Sequence, residues 1–542
     1  MTNEVQHIKS RCGGGKTMHT IKHLYPFITK NPDETVVFAS KTKKLTTQSY
    51  EAFRAQSCNV SGPQVPLQRI DSDTVPSSST VLKELNDRLN RNEGGVIFTS
   101  HAILQSVDAA RMRDVRLIID EVPDVLVKHL HVHYEYKDNG SSWEELIKTE
   151  PCPHSQYQKA TLDLSSSSRE DVQRRIDNIR SVVDNSTTGN VADLLEFLLT
   201  GHEVMYTTSR RNNGKVINRY LATDWKQLQE LVTHCKRMAI LSSQVKETLV
   251  GFVLEKVMNT PTVPTPIDPT VSLEDVHNVQ AVIYPLVEED QWSSNLKKQM
   301  ANERLALHGK PVASTQSIGL YVQEIAQTIL QGQPALLILN NKEDQHECWE
   351  NYPYKKITSS AHGQNDHTEY HHAAFLSSNR PNQYETDALE LFASDHGLSK
   401  VEIIQTVLKE RCYEAAYQCI ARTSVRNPNT GSDTKHIFIV PDEAHAEYLE
   451  TWFTRGMATI DRSYLHRRQA TPATQLRDEK MFDLLVQIRT DYLAKKGKLK
   501  DLKQQYNVKE EKYKRYVKKF RPELEQAGLI KPKKKNATNS TT

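Results

Sequence analysis

The sequence predicts an α/β protein: two tandem units of parallel sheet, a subdomain inserted in the first, and a basic helical extension at the C-terminus. Three observations carry this. Short apolar runs alternate with helical stretches over the first 125 residues. The alternation resumes after a proline-rich stretch near residue 265, and Lys/Arg crowd between Lys495 and Lys535. Continuous apolar runs of this length fit strands covered on both faces. Strands alternating with helices fit parallel pairing.

In the first unit, residues 1–262, the segment Val5–Thr17 reads as a short strand, a glycine-rich turn and a Lys-Thr pair opening a helix. Strands are expected at Thr35–Ala39, Gly95–Thr99, Val115–Ile119 and Met238–Leu241. Between about 130 and 235 the pattern breaks. Leu164–Ser168 is linker-like, Arg169–Val183 and Val191–Leu199 are helical, and His202–Thr208 with Lys215–Leu221 fit a hairpin. This is the inserted subdomain. Thr260–Pro269 carries four prolines, which exclude a helix or a central strand. In the second unit, residues 263–460, strands are expected at Ala335–Leu339, Lys356–Thr358, Ala373–Leu376 and His436–Val440. Helices are expected at Tyr384–Ser394 and Lys400–Arg422. Residues 461–542 are charged, helical and basic, closing in a disordered NATNSTT.

Composition sets outer bounds. With 37% hydrophobic and 25% charged residues over 542 positions, the chain can fill ordinary cores and is no disordered polymer. Net charge is only +3, yet Lys495–Lys535 holds sixteen Lys/Arg against five Asp/Glu, which leaves the remainder at −8. Such a tail suits phosphates or another acidic surface. Seven scattered cysteines without a CxxC pair speak against a zinc or iron–sulfur site and fit a reducing compartment. No apolar run reaches about 18 residues and no signal-peptide core opens the chain. A soluble cytoplasmic protein, without membrane contact, is expected.

The chemistry starts at SRCGGGKT, Ser10 to Thr17. Glycines let backbone N–H groups curl around phosphate oxygens, and a helix N-terminus adds partial positive charge. Ser10, Cys12, Gly13, Gly14, Gly15, Lys16 and Thr17 are the candidate cradle. Lys16 can reach the β- and γ-phosphates, and Thr17 can hold Mg²⁺. Ser10 stands where the GxxxxGK[ST] pattern has Gly. An ordinary glycine turn before a helix would read the same, so the partners matter. About a hundred residues later LIIDEVPD, Leu117–Asp124, is an apolar strand closed by acids. Asp120 would join Thr17 on Mg²⁺, and Glu121 would polarise the attacking water.

At this point the chain resembles a superfamily 2 helicase of the DExD type, with DEVP at Asp120–Pro123 in the place of DEAD or DEAH. ASKTKKLTTQ, Ala39–Gln48, is similar to the family's PTRxLxxQ segment; Lys41, Thr42 and Gln48 are the matching positions. FTSHAIL, Phe98–Leu104, is similar to the threonine-containing segment that grips a strand, through Thr99 and Ser100. LSSQ, Leu241–Gln244, resembles the SAT motif. ITSSAHGQND, Ile357–Asp366, is loosely similar to TxxxxxGxD, with Thr358 on nucleic acid and Gly363 near the nucleotide. AAFLSSN, Ala373–Asn379, rivals it. YQCIARTSVR, Tyr417–Arg426, resembles QxxGRxxR through Gln418 and Arg422, with Arg426 one residue late. On one continuous helix, residues spaced by four share a face, so Gln418, Arg422 and Arg426 would all point across a cleft.

The resemblance implies two RecA-like domains with nucleotide between them. The catalytic set is then Lys16, Asp120, Glu121, Gln418, Arg422 and Arg426, and ATP and Mg²⁺ are the cofactors. The expected activity is a nucleic-acid-dependent ATPase, a helicase or translocase moving on one strand, more in keeping with DNA than RNA. The implied chain is a monomer of viral or bacteriophage type, meeting replication or repair proteins through the inserted subdomain. A terminase-like packaging ATPase shares the loop and the acids, and a nucleotide-gated binding protein is a third reading. In the tail, Tyr513, Tyr516 and Phe520 have the spacing of a helical core face, while the lysines remain phosphate candidates. His362, His367, His371 and His372 match no familiar zinc spacing.

Overall fold

The computed structural model describes residues 4–58, 65–76, 79–135, 143–151, 157–165, 167–181, 186–201, 204–210, 216–266, 275–288, 292–340, 347–359, 367–427, 434–469 and 472–530. The first parallel sheet begins with β1 (Val5–Lys9), β2 (Thr35–Ser40), β3 (Leu67–Arg69), β4 (Gly95–Ser100) and β5 (Val115–Asp120). The chain then builds an antiparallel sheet from β6 (Lys128–Glu135), β7 (Ile147–Pro151), β8 (Gln158–Leu162), β9 (Val204–Arg210) and β10 (Val216–Asp224). It returns to the first sheet as β11 (Arg237–Ser242) and β12 (Thr262–Pro266).

The order of the first sheet is β12-β1-β11-β5-β2-β4-β3. Late-arriving β11 therefore lies between β1 and β5, pairing Leu241 with both Ile8 and Asp120. Because every pairing is parallel, the loop after β1, the acids after β5 and the serines after β11 share one carboxyl edge. That edge is where open α/β sheets bind ligands. β12 carries Pro264 and Pro266 and sits at the sheet's margin, where a missing N–H is tolerated. Strand β3 is a three-residue element the sequence pattern did not show.

The inserted sheet has the order β6-β10-β9-β8-β7, with β9 and β10 forming the hairpin. Helices Arg169–Ser181 and Ser186–Leu199 cover it, burying Val172, Ile176, Leu194 and Leu195 with Val132 and Leu146. The following helix, Lys226–His234, buries Leu228, Leu231 and Val232 in the first sheet's core instead.

The second parallel sheet comprises β13 (Ala281–Val287), β16 (Ala335–Leu339), β17 (Tyr354–Thr358), β18 (His372–Phe375), β19 (His436–Asp442) and β20 (Ala458–Ile460), ordered β17-β16-β18-β19-β13-β20. Strand β13 escapes the sequence pattern because Pro285 interrupts it. Its partner β20 stops at the Ile283 register, so that side of Pro285 needs no donor.

One expected element is corrected. The stretch read as a single helix over Lys400–Arg422 is α-helical over Lys400–Leu408, widens to a π turn over Lys409–Glu414, and resumes over Ala415–Ile420. It ends there because Thr423 is extended (φ −69°, ψ −179°) and its hydroxyl donates to the Ile420 carbonyl at 2.9 Å. Ser424 N–H donates to the Tyr370 carbonyl instead of continuing the helix. Gln418, Arg422 and Arg426 therefore do not share one helical face. Upstream, helix Gln383–Asp395 buries Leu389 and Phe392, and Lys400–Leu408 buries Ile403 and Val407, in the core of the first sheet.

A separate compact unit consists of Lys298–Ile318 and the chain from His466 onward. The first of these segments lies in the stretch read as the second domain. It groups with the C-terminus because β14 (Leu305–Leu307) pairs with both β15 (Lys310–Pro311) and β21 (Arg467–Arg468). In its helical part Tyr513 and Tyr516 are core residues, packed with Leu485, Ile488, Leu502 and Leu524. Among the described residues no helix is long and apolar enough to cross a membrane.

Candidate nucleotide site

β1 delivers the chain to the edge of the sheet, and the helix Lys16–Lys30 leaves from it. The loop between them needs its glycines. Gly13 has φ +80°, and a Cβ there would come within 2.5 Å of Arg426 Cβ. A Cβ on Gly14 would overlap the Ser10 hydroxyl. Lys16 Nζ folds back onto the Ser10 and Arg11 carbonyls, 2.9 Å from each. Thr17 Oγ1 donates to Asp120, 2.8 Å from Oδ1 and 3.0 Å from Oδ2.

Asp120 is buried at the end of β5. Burial raises its carboxyl to about 7, neighbouring Glu121 adds to the rise, and Thr17 opposes it. Glu121 has φ +73°, a left-handed conformation unusual for a residue with a side chain. Its N–H donates to the Leu241 carbonyl of β11 at 2.9 Å, which fixes the turn. The acid is thereby swung out of the strand direction and into the same cavity as Lys16.

That cavity holds about 340 Å³. Gly13, Lys16, Thr17, Asp120 and Glu121 line one wall; Gln418, Arg422 and Arg426 line the other. The three second-half residues converge although the helix breaks between them. The turn Ser424–Arg426 bends back, and Arg426 Nε donates to the Ala421 carbonyl at 2.9 Å. Ser10 and Gly14 lie outside the lining. Gly363 lies outside the described residues.

Four residues to which the sequence assigns no role hold the two walls together. Cys12 N–H donates to the Tyr417 hydroxyl at 2.9 Å. The Asp275 carboxylate accepts from the Ser10 hydroxyl at 2.7 Å and pairs with Arg11 Nε at 3.2 Å. His277 Nε2 lies 3.1 Å from the same Tyr417 hydroxyl, and burial lowers this imidazole to about 3, so it is neutral. Glu414, buried and raised above the usual carboxylate range by burial, accepts from Ser243 of the LSSQ segment and from Gln418 at 3.2 Å. Tyr417 opens the quoted motif and Glu414 lies three residues before it, so their nearness to Gln418 was the available signal. Asp275 and His277 carry no sequence signal.

Both halves are built on parallel sheets. Among solved structures the chain is similar to one named XPD_APO, at 12% identity and TM-score 0.46, covering 85% of this chain and 97% of that one. It is also similar to S. cerevisiae Dbp5 bound to RNA and ADP BeF3, at 9% and 0.35, covering 85% of each. A third is Mycobacterium smegmatis helicase Lhr bound to ssDNA and AMP-PNP, at 10% and 0.31, covering 83% of this chain and 46% of that one. No family model and no curated protein matches. At these scores the roles of individual residues rest on the site's own geometry.

The expected strand-contact residues of the RecA-like halves are placed unevenly. Thr99 is corrected: it is fully buried, and its hydroxyl donates to the Ile70 carbonyl at 2.9 Å, so it presents nothing to a strand. Thr42 Oγ1 accepts from Leu45 N–H at the start of helix Lys43–Cys58, and Gln48 is exposed on that helix. Ser100 and Thr358 are half-buried at the ends of β4 and β17. Lys41 pairs with Asp124 at 3.3 Å and, of these six, alone lines a larger cleft of about 1050 Å³. Eight acids, among them Asp124, Asp193, Glu196 and Glu385, line that cleft against three bases, Lys41, Lys226 and Arg411. So acidic a lining repels a phosphate backbone.

Two outcomes follow from the acids. Replacing Glu121 with Gly removes a strain of about 1–3 kcal/mol, offset in part by glycine's greater chain entropy. Glu121→Gly should therefore raise the denaturant midpoint of the nucleotide-free protein. Asp120 favours its protonated form in the fold, so folded-state stability falls as pH rises through about 7. Asp120→Asn should flatten that slope in denaturation curves measured between pH 5 and 8.

Proposed function

We propose that the chain is a nucleic-acid-dependent ATPase of the helicase or translocase type, hydrolysing ATP between its two RecA-like halves. One observation carries the reading: Lys16, Thr17, Asp120 and Glu121 face Gln418, Arg422 and Arg426 across a single cavity. The first set has the makings of a phosphate and metal cradle. The second supplies the charge that phosphoryl transfer needs as negative charge spreads over the γ-phosphate oxygens.

Thr17 Oγ1 and the Asp120 carboxylate are hard oxygen donors side by side, a set that fits Mg²⁺. Bound there, the ion would neutralise charge on the phosphates. Asp120 must ionise to hold it, so metal-nucleotide affinity should weaken as pH falls below about 7. Lys16 exchanges its two carbonyl partners for phosphate oxygens. Glu121, turned into the cavity by its backbone, orients and polarises the attacking water. Arg426 packs against Gly13 at the mouth of the loop and is our choice for the finger, with Arg422 behind it.

Hydrolysis would be coupled to strand movement through Glu414, whose carboxylate touches the LSSQ serine and Gln418 at once. Nucleic acid would enter only when the halves part, because the acidic cleft between them is unsuited to phosphates as it stands. The DNA or RNA track, the metal and the proposed partners of the inserted subdomain belong to this reading.

ATP turnover with single-stranded DNA, duplex DNA and RNA, alongside strand displacement, tests it. Lys16→Ala and Glu121→Gln should each lower turnover by about two to three orders of magnitude, the usual scale for removing a preorganised transition-state group. Normal turnover in both would sink the assignment. Arg426→Ala should lower kcat more than Arg422→Ala; the reverse order would move the finger to Arg422.

A further inference from the structure

The C-terminal unit holds a feature that the ATPase does not use. Helices Leu499–Gln505 and Glu510–Lys519 are joined by four residues, Tyr506–Lys509. The connection is tightly specified. Asn507 is left-handed (φ 52°), its N–H donates to the Gln504 carbonyl at 3.0 Å, and Val508 N–H donates to the Lys503 carbonyl at 2.8 Å. This pair of bonds closes a helix with a left-handed residue just past its end. Val508 then turns inward, so the second helix starts in a fixed direction.

The inward side is continuous. Leu502 of the first helix, Val508 of the turn, and Tyr513 and Tyr516 of the second pack on Leu485 and Ile488 of the long helix Pro472–Leu493. Lys503 and Glu510 pair across the turn. Two short helices joined by a tight turn and braced by a third are the frame of a helix-turn-helix.

The outward side is basic. Lys512, Arg515, Lys518 and Lys519 are exposed at spacings of three and four, a basic strip beside the buried Tyr513 and Tyr516, with Arg515 lying over the edge of the core at 5.1 Å from the Tyr516 ring centroid. From Lys495 to Lys519 there are eleven Lys/Arg against three Asp/Glu. A ten-residue helix is about 15 Å long and fits the major groove of B-form DNA, roughly 12 Å wide. The A-form groove of duplex RNA is too narrow to admit it.

We propose that this unit is a helix-turn-helix module that binds duplex DNA, with helix Glu510–Lys519 in the major groove and the flanking lysines on phosphates. It goes beyond the motor reading and does not depend on it, because binding requires no nucleotide. The module would hold the motor on duplex while one strand is engaged elsewhere.

The test is fluorescence anisotropy of the full chain, without nucleotide, on a labelled DNA duplex and on an RNA duplex of the same sequence over a range of salt. The expected result is at least tenfold tighter binding to DNA. Arg515→Ala with Lys518→Ala should lose at least tenfold in DNA affinity and make the salt dependence shallower by about two, with nucleic-acid-free ATP turnover unchanged. Asn507→Gly, which keeps the left-handed turn, should bind like the parent chain. Unchanged DNA affinity in the double variant, or equal affinity for the two duplexes, would overturn the proposal. So would loss of binding in Asn507→Gly.

Discussion

The contact between the glycine loop and the second half is the constraint on which the site depends. Tyr417 is stacked on Trp452, 4.3 Å away and 5° from parallel, and its hydroxyl is held between His277 and the Cys12 N–H. Asp275 grips the start of the same loop through Ser10 and Arg11. Because the glycine loop is anchored to the half that bears Arg422 and Arg426, parting the two walls breaks these bonds. Preorganised dipoles of this kind need little rearrangement when charge develops in a reaction. The neutrality of His277 matters here: a buried imidazolium beside Arg11 would repel the guanidinium that Asp275 holds.

This anchoring bears on how the halves could move. Leu389, Phe392, Ile403 and Val407 from the second half lie in the core of the first sheet, so separation exposes apolar surface as well as breaking polar contacts. Glu410 accepts from Leu249 N–H at 2.8 Å, and Lys409 pairs with Glu247 at 2.8 Å. The widened turn Lys409–Glu414 thus presses both its acids, Glu410 and Glu414, onto the segment that follows β11. Such a turn has a different register from the α-helix on either side and is a natural place for a hinge.

Much of the fold was legible because its strands are buried on both faces. TVVFA, GVIFT, ALLIL and HIFIV read as largely apolar runs, VRLII as one interrupted by Arg116, and all are strands. Where local chemistry departed from that pattern the reading failed. Pro285 hid β13, and Thr423 ended a helix whose apolar pattern suggested continuation. For the site, the loop and the acids were readable because phosphate chemistry demands particular residues at short spacing. Gln418, Arg422 and Arg426 come from a motif resemblance, and the shared helical face expected of them does not exist; it is the return of the chain at Ser424 that brings them to one wall. Tyr417, Asp275 and His277 act on residues more than 260 positions away, and no local pattern encodes that. Thr99 shows the opposite error, since a residue that matched a motif is occupied in packing.

The central claim is that one triphosphate is gripped by both halves at once. Hydrogen–deuterium exchange with and without a non-hydrolysable ATP analogue and Mg²⁺ measures this directly. The account requires slowed exchange in two segments together, Ser10–Thr17 and Ala415–Arg426. Protection confined to the first segment, with the second unchanged at saturating nucleotide, would contradict it.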